Sequence, residues 1–253
     1  MRETDFSTKE AKSESDVINF YDEYATSWDD RFGDSFATKH FIERRWHSFE
    51  DAIEKCQPKR GLAVELGVGT GVYISRASKL FNKIVAVDGS KKMLDALRVT
   101  LEKNNIDGVT LVNSNVLDIK ELNDSSVDCV YFFGLIEHII DMDGFINELK
   151  RTLKKGGVLI GVTPNGTSPW YSMRSAVRGT GKHCSTDSYY SIRELDKIFI
   201  PGGFGRVYAS HWGAVPAGIG DVFGGFLSKL EPLIEKTPLR IYLGGLTFGY
   251  ILE

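Results

Sequence analysis

The chain predicts a doubly wound α/β domain, and three observations carry that expectation. Short apolar runs of strand type alternate with amphipathic stretches of helical spacing between residues 38 and 210. The first such run, from Gly61 to Val64, leads into three glycines at alternate positions, Gly67, Gly69 and Gly71. The first two runs also close on carboxylates, Glu65 and Asp88. Successive β–α–β units of this kind wind right-handedly into a mostly parallel sheet with helices on both faces.

Composition bounds the rest. The 253 residues suffice for one sizeable domain with additions, so 1–253 reads as a single domain. The net charge of −3, with no block of basic residues, argues against a nucleic-acid partner. Cys56, Cys129 and Cys184 form no C-x-x-C pair, so neither a disulfide framework nor a zinc cage is expected, and no metal site is assigned. The polar stretch from Met1 to Asp16 has no apolar core for a signal peptide, and no apolar run reaches membrane-spanning length. The expected location is cytoplasmic.

In chain order, residues 1–14 are rich in Lys, Glu, Ser and Thr and read as a disordered leader. Residues 15–57 hold an aromatic-rich short helix, Ile18 to Asp30, then a helical stripe over 38–56 made by Phe41, Ile42, Trp46, Phe49 and Ile53. His40 and His47 on that second helix receive no role. The strand of 61–65 and its glycine turn follow, and Ile74, Ala77, Leu80 and Phe81 continue at helical spacing. Glycines there permit backbone conformations barred to other residues and let a ligand approach the main chain. The N–H groups of the next helix start favour an electron-rich group.

Two ligand classes use such a turn. The dinucleotide fingerprint is G-x-G-x-x-G. Here the third glycine falls one position earlier, and Glu65 stands where a dinucleotide site needs no carboxylate. Glu65-Leu66-Gly67-Val68-Gly69-Thr70-Gly71 resembles the first motif of class I S-adenosylmethionine-dependent methyltransferases, E-x-G-x-G-x-G. The resemblance implies a Rossmann-like seven-stranded sheet, S-adenosyl-L-methionine as cofactor and S-adenosyl-L-homocysteine as product, over a cofactor-binding core of residues 58–165. It extends to the phrase Tyr21 to Asp29, similar to the Y-D-x-x-A-x-x-W-D opening of the ubiquinone-biosynthesis-like group. Two roles stay open for that N-terminal helix: plain packing, or a cap that turns Tyr21, Tyr24 or Trp28 toward the sulfonium, since aromatic faces attract cations.

The strand Lys83 to Asp88 places a carboxylate at the tip next to the glycine turn, where it can accept bonds from both ribose hydroxyls. Asp88 or Ser90 can also cap the following helix. The resemblance puts Gly89 and Ser90 beside the adenine, with Met93 as an apolar wall. After the strand Val109 to Asn113, the family's acid–apolar pair is replaced by Asn115-Val116; an amide oxygen still accepts from the adenine amino group, and Asp118 is the alternative. The strand Ser126 to Phe133 and the phrase Gly134-Leu135-Ile136-Glu137-His138 resemble the same group. Phe133 and Gly134 then border the cofactor. His138, at the edge where methyl and acceptor meet, is the candidate general base; otherwise Glu137 and His138 only pin the loop.

Phe145, Ile146, Leu149 and Leu153 predict a helix stopped by Lys154-Lys155-Gly156-Gly157, before a fifth strand at 158–165. Residues 166–190 gather Trp170, Tyr171, Met173, Arg174, Arg178, His183, Cys184, Tyr189 and Tyr190, a first choice for an acceptor lid or else an ordered loop. A helix around Ile192 to Phe199 and a strand at 205–209 follow. The last strand is 247–252, and the insert before it, 211–246, carries Val222, Phe223, Phe226, Leu227, Leu230, Leu233 and Ile234 at near-helical spacing interrupted by Pro232. It suits an acceptor wall, an oligomer contact or plain core; with few Lys and Arg, membrane docking ranks last.

Methyl transfer from a sulfonium is an in-line displacement that needs alignment and exclusion of water more than a nucleophilic side chain. The Asp/Asn-Pro-Pro-aromatic phrase of base-amino methyltransferases is replaced by Phe133-Gly134-Leu135-Ile136, and no Pro-Cys nucleophile occurs. A small-molecule acceptor of apolar or ring-bearing character is the expectation. A non-catalytic protein that binds S-adenosylmethionine or S-adenosylhomocysteine, and an NAD(P)-dependent oxidoreductase, are the alternatives.

Overall fold

The computed structural model describes residues 13–25, 28, 35–169, 188–215 and 221–253. Seven strands form one sheet in the order β3-β2-β1-β4-β5-β7-β6. They are β1 (Leu62–Leu66), β2 (Lys83–Asp88), β3 (Val109–Asn113), β4 (Val127–Phe133), β5 (Leu153–Pro164), β6 (Phe204–Trp212) and β7 (Gly245–Leu252). The first five run parallel, and β7 enters antiparallel between β5 and β6. Winding runs from β1 outward to β3, then returns to β4 on the other side. The carboxyl ends of β1 and β4 therefore splay at a topological switch point, where such sheets open a crevice.

The helices are α1 (Glu14–Tyr24), α2 (Phe36–Cys56), α3 (Ile74–Ala77), α4 (Lys91–Lys103), α5 (Met142–Thr152), α6 (Ile192–Phe199) and α7 (Asp221–Glu235). Strand alternation divides the core. Val64, Leu66, Val130 and Phe132 face α5 and α6, meeting Phe145, Leu149 and Phe199. Ala63, Cys129 and Tyr131 face α2 and α4, meeting Phe49, Ala52, Leu94 and Leu97. Glu65 lies between Val64 and Leu66, so its side chain emerges on the α2 face.

Several boundaries differ from the sequence reading. Residues 13 and 14 belong to a helix start: Ser13 and Asp16 form a reciprocal capping box that begins α1 at Glu14. The spacing of Ile74 to Phe81 yields only one helical turn. Three-residue bonds from Lys79 to Arg76 and from Leu80 to Ala77 tighten the chain so that it reaches β2 at Lys83. Lys154-Lys155-Gly156-Gly157 does not stop a helix. α5 ends at Thr152 because Leu153 is already extended and paired with Val127, and Lys154 Nζ bonds Asp128 Oδ1 at 2.7 Å. Pro232 does not interrupt α7, which continues to Glu235. The candidate lid residues Trp170, Tyr171, Met173, Arg174, Arg178, His183 and Cys184 lie outside the described residues.

Candidate functional site

The glycine turn leaves β1 with Gly67, Gly69 and Gly71 all in left-handed conformations, at φ of 64°, 57° and 81°. Their surroundings separate their roles. A side chain at Gly67 would press on Leu135, and one at Gly71 would strike Leu97, so both serve close packing. The space over Gly69 is open, with the Trp28 indole nitrogen 3.9 Å from where a Cβ would stand. Gly69 is the place where a ligand can touch main chain.

Asp88, at the tip of β2, holds this turn. Its Oδ2 accepts the Gly69 N–H at 2.8 Å and its Oδ1 the Ser90 N–H at 2.8 Å. Burial raises the carboxyl, and these two N–H donors oppose the rise. Each oxygen keeps lone-pair capacity for a further donor. Ser90, almost fully buried, caps α4 by accepting from Met93 N–H at 3.2 Å, so Asp88 and Ser90 share the helix-start work.

Glu65 is the second acid. It is 3% exposed, accepts the Tyr131 hydroxyl at 2.9 Å, and burial pushes it up to about 8. Among the described residues it has no cationic side-chain partner. Buried charges are normally paired, so Glu65 marks a place suited to a ligand cation. Nearby, the buried Tyr73 hydroxyl meets no hydrogen-bonding partner in good geometry and lies within the electrostatic reach of both Arg45 and Glu65. The Arg45 guanidinium stands over the Phe41 and Phe133 rings at 5.8 and 5.7 Å and donates to the Val162 carbonyl at 3.3 Å. It has no carboxylate partner among the described residues. Its neighbour Arg44 is tied instead to Glu231 and Glu235.

An acid, a buried tyrosine hydroxyl and a guanidinium in one neighbourhood match the ammonium and carboxylate of an amino-acid end group. The sequence reading missed Arg45, Tyr73 and Tyr131. A signal for Arg45 existed: it lies four residues after Phe41 and four before Phe49, a charge set on the apolar stripe of its own helix.

α1 straps across the mouth. Ile18 packs where a side chain on Gly89 would stand. Asp22 accepts from Ser90 Oγ at 2.9 Å and Lys92 N–H at 3.2 Å on the β2 side. Glu14 accepts the Ile140 and Asp141 N–H groups at 2.9 and 3.1 Å on the β4 side. Between these anchors Tyr21 and Trp28 meet edge to face at 5.3 Å, and the Tyr21 hydroxyl lies 2.8 Å from His138 Nε2. Glu137 accepts from Thr163 Oγ1 at 3.0 Å, which fixes the 3-10 turn Ile136–His138 at the edge of β5.

The remaining candidates are placed as follows. Gly134, at φ 72°, lies against Arg45 Nη2 and Glu137. Phe133 stacks in the wall formed with Tyr73 and Phe49, at 4.2 and 5.0 Å. Met93 and Val116 are buried. The Asn115 Oδ1 already accepts the Leu117 N–H at 3.0 Å, so any further donor would share it. Asp118 is exposed and turned toward Lys120 at 3.7 Å.

Residues 64–161 match the family model described as a methyltransferase domain. A ubiquinone biosynthesis O-methyltransferase of Pelagibacter ubique is 28% identical over 109 residues, 43% of this chain and 44% of that protein. The chain spans about half the length of the curated relatives it matches. Among solved structures, an S-adenosylmethionine-dependent methyltransferase from Aquifex aeolicus superposes with a TM-score of 0.58 at 15% identity, covering 96% of this chain and 100% of that one. A geranyl diphosphate C-methyltransferase from Streptomyces coelicolor, solved with Mg2+, geranyl diphosphate and S-adenosyl-L-homocysteine, gives 0.59 at 15% identity, covering 82% and 79%. At these identities the structural likeness speaks to the fold.

Proposed function

We propose that this protein transfers a methyl group from S-adenosylmethionine to a small-molecule acceptor of apolar or ring-bearing character: residues 64–161 match the methyltransferase domain model, and the sheet order is that of the class I methyltransferase fold. The observation that carries the reading is the pair of acidic strand tips: Glu65, buried with no cationic partner among the described residues, and Asp88, bonded to the open glycine turn at Gly69.

When bound, S-adenosylmethionine supplies an electrophilic methyl group on a sulfonium. In this reading Asp88 receives the ribose hydroxyls while its N–H bonds keep it fixed. Glu65 takes the ammonium, and Arg45 with the Tyr73 hydroxyl takes the carboxylate. Gly89, Ser90, Met93, Asn115 and Val116 border the adenine, and Phe133 and Gly134 the methionine end. Tyr21 and Trp28 give the sulfonium aromatic surface and, through the α1 strap, exclude water from the mouth. His138 holds the acceptor proton at Nε2, where the Tyr21 hydroxyl can take part in its transfer.

Calorimetry on ligand-stripped protein should give heat with S-adenosylmethionine and with S-adenosylhomocysteine. Incubation with labelled methyl donor and a metabolite extract should then move label into a small molecule. Binding without transfer would turn the reading to a non-catalytic sensor. No heat from either nucleoside would end it.

A further inference from the structure

α7 packs on the body of the domain through a carboxylate as well as apolar side chains. Glu231, 2% exposed, holds His40 at 2.9 Å and Arg44 at 2.6 Å on α2, and Glu235 joins the same arginine, beside half-buried Leu227, Leu230 and Ile234. Asp221, itself exposed, accepts the Phe36 N–H at 3.0 Å. The opposite side carries Val222, Phe223, Phe226 and Leu233, between 55% and 93% exposed. Val222, Phe226 and Leu233 share one stripe at helical spacing. The adjoining 3-10 turn Pro238–Tyr242 adds exposed Leu239, Ile241 and Tyr242. An apolar surface this continuous marks a contact.

Charge decides with what. Glu231 and Glu235 are paired with Arg44 of α2 and Asp221 with the Phe36 N–H, whereas Lys229, Lys236 and Arg240 remain exposed. The outward face is therefore apolar and basic, although the segment's own acids and bases balance closely. In a two-fold pair of copies the same patch would meet itself and set bases against bases. Against anionic headgroups the bases find phosphate and the aromatic and aliphatic side chains enter the acyl boundary. No helix among the described residues is long and apolar enough to cross a membrane, so the contact is one of surface docking.

We propose that α7 and the Pro238–Tyr242 turn form a docking face for an anionic lipid surface. The turn is tied to the acceptor side of the sheet: Asn165, just past β5, donates to the Ile241 and Leu243 carbonyls at 2.8 and 2.7 Å. Docking there sets the rim of the crevice at the interface. This docking face does not depend on methyl transfer.

The full chain should co-float with vesicles of phosphatidylcholine and phosphatidylglycerol and not with phosphatidylcholine alone, and the recovery should fall with added salt. Phe223→Ser with Phe226→Ser should lower vesicle binding at least tenfold, and each Lys229→Gln or Lys236→Gln about fivefold. Thermal midpoint and S-adenosylhomocysteine affinity of these variants should match the parent, which separates this result from any failure of the cofactor site. Absence of co-flotation, equal flotation by the variants, or a stable dimer that the paired serine variant converts to monomer would each overturn the proposal.

Discussion

Glu65 is a carboxylate whose titration reports on its own vacancy of charge. Burial pushes it from an ordinary 4.5 up to about 8. Between those values the folded state keeps a proton that the unfolded chain has released. The contribution of Glu65 to the stability of the ligand-free protein is then fullest below about pH 4.5 and is lost as pH rises through about 8. Glu65→Gln should flatten that slope, as read from thermal midpoints across pH. A ligand ammonium beside Glu65 favours the carboxylate, so cofactor binding near neutrality should release a proton. Calorimetry in buffers of different ionisation heat measures this, and the release should vanish in Glu65→Gln. Asp88→Ala removes a charge-assisted acceptor and should weaken cofactor binding at least tenfold; unchanged affinity would remove the site assignment. His138→Ala should lower kcat by about 10²–10⁴ with little change in cofactor affinity, and Tyr21→Phe should alter the pH profile of kcat through the same contact.

At the scale of elements, α1 illustrates how little of a helix's purpose its own sequence carries. The aromatic phrase from Tyr21 to Trp28 allows packing or capping, and its periodicity cannot choose. The proposed cap is held by Asp22, which accepts from the Ser90 hydroxyl and the Lys92 N–H, and by Glu14, which accepts from the Ile140 and Asp141 N–H groups, on opposite sides of the mouth. Asp22→Ala together with Glu14→Ala should raise the cofactor dissociation constant about tenfold, since each anchor contributes about 0.5–2 kcal/mol. The main thermal transition should stay in place while limited proteolysis within α1 becomes faster. The basic-glycine run after α5 teaches the converse. Lys154-Lys155-Gly156-Gly157 has the composition of a helix stop, yet Leu153 is drawn into the ladder by Val127 and Lys154 by Asp128, whose other oxygen accepts the Leu62 N–H. A cross-strand staple overrides a local end signal.

For the whole molecule, the sheet order brings Glu65, Asp88 and Phe133 to the carboxyl ends of neighbouring strands β1, β2 and β4. A tight point of the sheet is Gly161 in β5, where any Cβ would enter the Phe248 ring of β7 and lie 2.7 Å from Phe132. Gly161→Ala should cost about 1–3 kcal/mol by overpacking, seen as a lower thermal midpoint. The sequence by itself determined the alternation of strands and helices, the three-glycine turn, and the two acidic tips, because periodicity and backbone permissiveness are local properties. Tertiary structure alone decided which charges lack partners. Glu65 meets Tyr131 66 residues away, Arg44 is consumed by Glu231 while Arg45 is left to a carbonyl and aromatic rings, and α7 buries Glu231 against α2. Pairing and burial depend on neighbours distant in the chain, and those neighbours exist only once the sheet has brought them together.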